Sequence, residues 1–115
     1  TVTSAIVTLQ VHNRTSNAYN FWAMLQSWSE STATWNNTQP ETNRGVNIAS
    51  FTPTSTGEYQ VVLNANGLAL VQSWINGGAN NGVTIESGGT RNGIDMRSSE
   101  YNSQSQRPKL TITYE

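Results

Sequence analysis

Glu58-Tyr-Gln-Val-Val-Leu-Asn-Ala-Asn-Gly-Leu-Ala-Leu-Val-Gln-Ser-Trp-Ile-Asn-Gly-Gly-Ala-Asn-Asn-Gly-Val-Thr-Ile-Glu-Ser87 is the stretch in which the apolar period changes from that of a strand to that of a helix and back. Tyr59, Val61 and Leu63 alternate as the buried side of a strand does. Leu68, Val71 and Ile75, with Trp74 beside them, recur at three- and four-residue steps as one helical face does. Asn64 or Asn66 can cap this helix, Gly77 and Gly78 can end it, and Gly82 allows the turn into a strand at residues 83–87. The spacing thus predicts one short helix over about residues 65–76, crossing and plugging an end of a sheet structure.

Outside this stretch the chain reads as strands and turns. Residues 5–11 alternate, with Ala5, Val7, Leu9 and Val11 on the core side and Ile6, Thr8, Gln10 and His12 toward water. After the polar turn at residues 13–17 the chain returns over 20–27, where Phe21, Ala23 and Leu25 continue the buried face and Trp22 points the other way. Residues 28–40, with Trp28, Trp35 and Pro40 among Ser, Thr and Asn, read as an irregular excursion. Residues 41–57 are loop-like apart from a short apolar run at 46–51. A wide turn at 88–93 leads to a strand at 94–98 with Ile94 and Met96 inward. The chain closes on 110–114, with Leu110, Ile112 and Tyr114 inward. Many short strands, polar turns and a single helix predict an all-β fold, an antiparallel β-sandwich of jelly-roll type forming one domain over residues 1–115.

Composition narrows the function classes. The formal net charge is −1 and only 11% of residues are charged, which leaves no electrostatic footprint for nucleic acid or an anionic membrane. No apolar run reaches membrane-spanning length, so membrane insertion is not expected, and no signal peptide is visible. The chain starts directly in strand-like sequence at Thr1-Val2-Thr3, as a processed or cut end does. With no cysteine there is neither a disulfide nor a thiolate metal site. Ser, Thr and Asn make up roughly a third of the chain, a surface chemistry that suits an extracellular or cell-surface setting. Asn13-Arg-Thr15 and Asn36-Asn-Thr38 fit the N-glycosylation pattern, with Asn13 and Asn36 as acceptors.

The residues offer little for catalysis. His12 is the single histidine and sits at a strand end, where a solvated role is expected. The carboxylates are scattered; Glu86 and Asp95 flank the turn at 88–93 and could meet across a hairpin, but pairing with Arg91 or Arg97, or solvation, is the better reading. Asp95 with loop carbonyls could hold calcium, yet no loop has the regular oxygen spacing of such sites, so no cofactor is expected. Aromatic and polar surface is what remains. Sugars bind through rings stacked on a pyranose face and through Asn, Gln, Arg and Asp groups at the hydroxyls. Trp28, Trp35 and Trp74 have packing as their default role, whereas period two exposes Trp22, where either a ligand or a covering strand accounts for it.

Four blocks in order carry a resemblance: residues 2–11, Trp28-Ser-Glu-Ser-Thr-Ala-Thr-Trp35-Asn, Trp74-Ile-Asn-Gly-Gly-Ala-Asn-Asn-Gly-Val-Thr-Ile, and Ser99-Glu100 with Arg107-Pro-Lys-Leu-Thr-Ile-Thr-Tyr114. Together they resemble the DNRLRE domain family, also classified as carbohydrate-binding module family 96 and similar to domains of archaeal disaggregatase-related proteins. The third block also resembles the growth-factor propeptide fold, which implies a jelly-roll sandwich. The family resemblance implies an extracellular, non-catalytic module attached to polysaccharide-degrading enzymes or surface proteins, with acidic chains such as alginate among the ligands of its class. The shared residues Trp28, Glu30, Trp35, Trp74, Asn81, Gly82, Glu100 and Pro108 read as fold determinants, not as ligand contacts. Family members usually carry further N-terminal strands, so this chain is expected to be an N-terminally incomplete piece or one completed from elsewhere.

Two functions follow. The leading one is recognition of a polysaccharide, acidic in the alginate manner, with Trp22 as stacking platform, Tyr19 and Arg14 at the adjacent turn, and Arg91 and Arg97 as partners for sugar carboxylates. The alternative is a structural subunit of an extracellular filament or adhesive layer, self-associating or completed by a strand from a neighbouring chain.

Overall fold

The computed structural model describes residues 1–88 and 93–115. Two antiparallel sheets form a sandwich. In the first, β1 (Val2–Asn13) is central: β4 (Gly57–Val62) lies along one edge, while β7 (Lys109–Tyr114) and the two-residue β6 (Asp95–Met96) share the other. In the second, β2 (Tyr19–Met24) lies between β3 (Arg44–Phe51) and β5 (Val83–Ser87).

The inner faces meet in a core of Val2, Ala5, Leu9, Phe21, Ala23, Ile48, Ala49, Val61, Leu63 and Val71. Phe21 is 0% exposed, and enclosing a side chain of that size contributes about 1.5–3 kcal/mol. Phe51 bridges its aromatic neighbours, edge-on to Phe21 at 5.7 Å and to Tyr59 at 5.5 Å, with Tyr19 tilted at 6.5 Å. Period two cannot place consecutive residues in one core, yet both Ile48 and Ala49 are buried. The register of β3 against β2 shifts between Phe21 and Trp22, pairing them with Ala49 and Asn47, and the bulge turns Ile48 inward as the extra residue.

The helix lies where the spacing puts it. α3 (Ala65–Ile75) packs against β1 and β3. The Asn64 side chain accepts from the Gly67 amide at 3.1 Å, and the Asn64 backbone amide donates to Ile48 O at 2.9 Å, which ties the cap to the bulge. At the other end Gly77, with φ of 93°, donates to Trp74 O at 3.1 Å and Gly78 donates to Ser73 O at 2.8 Å, the paired bonds of a Schellman stop. The buried face carries Gly67 and Val71, with Leu68 and Trp74 partly buried; Ile75 is exposed. The step from Val71 inward is three residues, to Trp74, and not four.

Several expectations are corrected. Residues 44–51 form a full strand instead of a loop with an apolar run, because its edge position and bulge break the alternation. The excursion holds two four-residue helices, α1 (Trp35–Thr38) and α2 (Pro40–Asn43), so the large helix is not alone. Leu25 is 67% exposed, since β2 ends at Met24 after a second register shift and the Leu25 amide leaves the sheet to bond Asn43 O at 2.8 Å. On β7 Ile112 packs against the core; Tyr114 is exposed beside an irregular register at Val2 and Ser4, and Leu110, opposite Val7, is 41% exposed and lines a surface recess. Thr8 is buried on the side of β1 expected in water, between Gln60 and Lys109 of the flanking strands. Glu86 and Asp95 do not face each other across a hairpin, because β5 pairs with β2 and β6 with β1.

Gly67 is required by a close approach: a Cβ there would stand 2.6 Å from Leu63 Cβ and 3.1 Å from Ile48 O. Gly67→Ala is therefore expected to lower stability by about 1–3 kcal/mol, although alanine is the better helix former. Urea denaturation checks this: the midpoint falls while the slope is kept.

Candidate functional site

The alternation that buries Tyr19, Phe21 and Ala23 turns Asn20 and Trp22 to the outer face of the second sheet. Trp22 opposes Asn47 on β3 and Thr84 on β5. Two neighbours close over it. Arg44, which opposes Met24 at the start of β3, lays its guanidinium over the indole with Cζ 4.2 Å from the ring centroid. Its Nη1 forms an ion pair with Oε2 of Glu86, which opposes Asn20 on β5. The pair thus crosses Trp22 diagonally, from one edge strand of the sheet to the other. Glu86 is 15% and Arg44 32% exposed at the side chain, so the ions are partly withdrawn from water and breaking the pair costs more than at an open surface. Glu86 Oε1 is enclosed and has no hydrogen-bond partner among the described residues.

The excursion builds a wall beside this floor. Thr34 caps α1 reciprocally with Asn37: the Asn37 amide donates to Thr34 Oγ1 at 3.2 Å and the Thr34 amide donates to Asn37 Oδ1 at 2.8 Å. Gln39, at φ 41°, turns the chain from α1 into α2, whose first residue, Pro40, is buried. Asn43 and Gln26 stitch the excursion to its own base, Asn43 Nδ2 donating to Thr38 O at 2.8 Å and Gln26 Nε2 to Asn37 O at 3.0 Å. This frame holds Trp35 61% exposed. Between floor and wall lies a groove of about 550 Å³, lined by Trp22, Trp35, Arg44, Glu41, Glu86 and Asn20 among others.

Of the residues proposed from the sequence, Trp22 alone among the described ones lies in this groove, with one face of its ring under Arg44. Tyr19 is buried, because it shares the parity of Phe21 and packs on Phe51. Arg14 is exposed beyond the end of β1. Arg97 follows β6 on the other sheet and stacks over Tyr101 at 4.2 Å. Arg91 lies outside the described residues. Asn13 and Asn36 are both exposed, the first at the end of β1 and the second on α1. Trp35, Arg44 and Glu86 were missed. Trp35 carries no parity signal in an irregular segment, and the Arg44–Glu86 pair spans strands that only folding brings together. The other tryptophans divide: Trp74 is partly buried against the core, whereas Trp28 is exposed with its Nε1 donating to Asn81 O at 2.7 Å.

Among the described residues no group of three or more His, Asp or Glu side chains is placed to hold a metal ion, and no helix is long and apolar enough to cross a membrane. Glu41 and Glu86 do line one groove, but Glu86 is engaged by Arg44. What the arrangement offers is an exposed ring and a second ring backed by a cation that an enclosed carboxylate neutralises.

Comparison with curated proteins and with solved structures gave no match to the chain. The family model described as carbohydrate-binding module family 96 matches residues 1–114. With two tryptophans and polar groups gathered in one open groove on a β-sandwich, and nearly the whole chain matched, this protein belongs to carbohydrate-binding module family 96.

Proposed function

We propose that the chain is a non-catalytic, extracellular or cell-surface module that binds a polysaccharide in the groove between Trp22 and Trp35. The observation that carries this reading is the convergence of the two rings with Arg44 and Glu86 in a trough open enough for a polymer to lie along. Trp35 supplies the free face for stacking on a pyranose. Trp22, stiffened by Arg44, supplies the floor beside it, while Asn20 reaches hydroxyls. The acidic, alginate-like ligand expected from the sequence rests on Arg14, Arg91 and Arg97; Arg14 and Arg97 are not among the described residues lining this groove, and Arg91 lies outside the described residues. Arg44 is the one cation the described groove can offer a carboxylate. Membership of the family and the engagement of Glu86 by Arg44 both support a module without hydrolytic chemistry.

A stacked ring contributes roughly 1 kcal/mol beyond its burial, so one groove binds weakly and gains from repetition along a polymer. Trp35→Ala is expected to weaken polysaccharide binding at least about fivefold. Trp22→Ala is expected to weaken it further, because it also releases Arg44. Affinity electrophoresis in gels containing polysaccharide measures both; migration identical to wild type in both variants overturns the site.

A second reading, a structural subunit completed by a strand from a neighbouring chain, is favoured by one feature. Between β5 and β7 lies an apolar recess of about 330 Å³ lined by Val7, Val71, Trp74, Val83 and Leu110 among others. Each of these two strands has a single pairing partner among the described residues, and Trp74 Nε1 has none for its hydrogen. Such an opening suits an added strand. Sedimentation velocity at micromolar concentration separates the two readings: the module is expected to run as a monomer, the subunit as a concentration-dependent assembly that Leu110→Lys disperses.

A further inference from the structure

We infer that the wall carries a second sugar-stacking position on its other flank, at Trp28, and that a polymer lying in the groove runs on along β5 to reach it. This rests on the groove being the binding site and extends the length of chain that the module reads.

The ring of Trp28 is exposed and yet fixed. It is 47% exposed, while its Nε1 donates to Asn81 O at 2.7 Å. The same edge of the indole lies over Gly82, where an added Cβ would stand 3.6 Å from Cζ2. Because the N–H already has a partner in the protein, a ligand that covers the ring strands no polar group of the indole. A ring held by one edge also gives up little freedom when a sugar stacks on it.

Two depressions border this ring. One of about 460 Å³ lies toward α1 and takes in Ser27, Ser29 and Thr32. The other, of about 270 Å³, lies toward the start of β5 and takes in Ser27, Asn80 and Asn81. No charged side chain lines either of them among the described residues. Ser27 and Asn80 are exposed, and Asn80 Oδ1 accepts from the Gly82 amide at 3.0 Å, which leaves its Nδ2 to donate to a ligand. Neutral hydroxyls and amides around a presented ring match the hydroxyls and the C–H face of a sugar.

The path between the two positions is written along β5. Residues 85–88 line the groove of Trp22 and Trp35, together with Glu41. A smaller depression of about 160 Å³ takes up the next residues of both segments, Thr84, Val83 and Pro40, and reaches Trp28. Residues 80–82 line the depression beyond it. Nine consecutive positions, 80–88, thus border hollows that follow one another past the foot of the wall. From Glu86 to Gly82 the chain covers about 13 Å at the rise of a strand, a span that one sugar residue does not bridge. The wall itself has two sides: Trp35 and Asn37 stand about 200° apart around a helix, the first lining the groove and the second the depression at Trp28. Two stacking positions on one polymer reinforce each other, so affinity rises with ligand length until both are filled.

The test varies that length. The disaccharide and the hexasaccharide of the cello-, manno-, xylo- and alginate series are titrated into the wild type by calorimetry. In the series that binds, the hexasaccharide is expected to be held at least about fivefold more tightly than the disaccharide. Trp35→Ala is expected to weaken both lengths. Trp28→Ala is expected to leave the disaccharide unchanged and to bring the hexasaccharide to within about twofold of it, whereas Trp28→Phe, which keeps a ring, restores most of the difference. Should Trp28→Ala fail to fold by its thermal transition, the wild type answers directly. Its Trp28 indole N–H resonance, identified by its loss in Trp28→Phe, is expected to shift with the hexasaccharide and not with the disaccharide. Three results overturn the inference and leave the groove standing, provided Trp35→Ala still weakens binding: a hexasaccharide held no more tightly than its disaccharide, a Trp28 resonance that the hexasaccharide does not move, or a loss in Trp28→Ala equal at both lengths. Binding that neither Trp22→Ala nor Trp35→Ala alters, or no binding in any series, counts against the groove and the inference together.

Discussion

The enclosure of Phe21 is the constraint on which the rest depends. It occupies the centre of the middle strand of the three-stranded sheet, fully enclosed, with Ala49 and Ile85 opposite it on the two neighbours. Once Phe21 is inside, the strand's period of two sends Trp22 outward. A ring of that size on a sheet surface gains from a cation laid over its face. The partner is Arg44, and the cation it brings is in turn neutralised by Glu86 from the far strand. The groove floor is thus the reverse side of the core: the same alternation fills one face with aromatic packing and the other with a cation, a ring and a carboxylate. The bulge at Ile48 serves both faces, adding an apolar residue to the core and shifting the register by which Asn47 comes to oppose Trp22.

What could be read from the residues follows the range of the interaction concerned. The helix was legible to within a residue because its signals are local: an Asn cap, a three-to-four-residue apolar step and a Gly-Gly stop. The strand at Val83–Ser87 was legible for the same reason, being bounded by turn residues. Trp22 could be placed outside from its neighbours alone. Where the alternation is broken, legibility ends. β3 carries a bulge that disguises it as a loop, and the second shift beyond Trp22 turned an expected inward Leu25 into an exposed one. Tyr19 lies near a turn, but its parity with Phe21 is the stronger signal and buries it.

The candidate site was the less legible part because most of it is non-local. Arg44 and Glu86 are 42 positions apart (86 − 44) and meet only because β3 and β5 flank the same strand. No spacing rule connects them. Trp35 owes its exposure to a capped four-residue helix, an element too short to leave a periodic trace. The family resemblance assigned Trp35 to the fold; its exposure leaves it available to a ligand as well. The arginines chosen from the sequence were chosen for their chemistry, and chemistry without a topology does not say which face of a sandwich a side chain occupies.

Gln39 gives the excursion one further property. The wall that carries Trp35 closes upon itself, through the Thr34–Asn37 box, the left-handed turn at Gln39 and the bonds from Asn43 and Gln26. It meets the sheet through the Leu25 amide bonded to Asn43 O, the buried Pro40 and Trp28, whose Nε1 donates to Asn81 O. Floor and wall are therefore held differently: the floor is bound to the core by strand parity, whereas the wall is held largely by hydrogen bonds among its own residues. Exposed side chains on that wall can be exchanged, and with them what the groove meets, at little cost to the sandwich beneath.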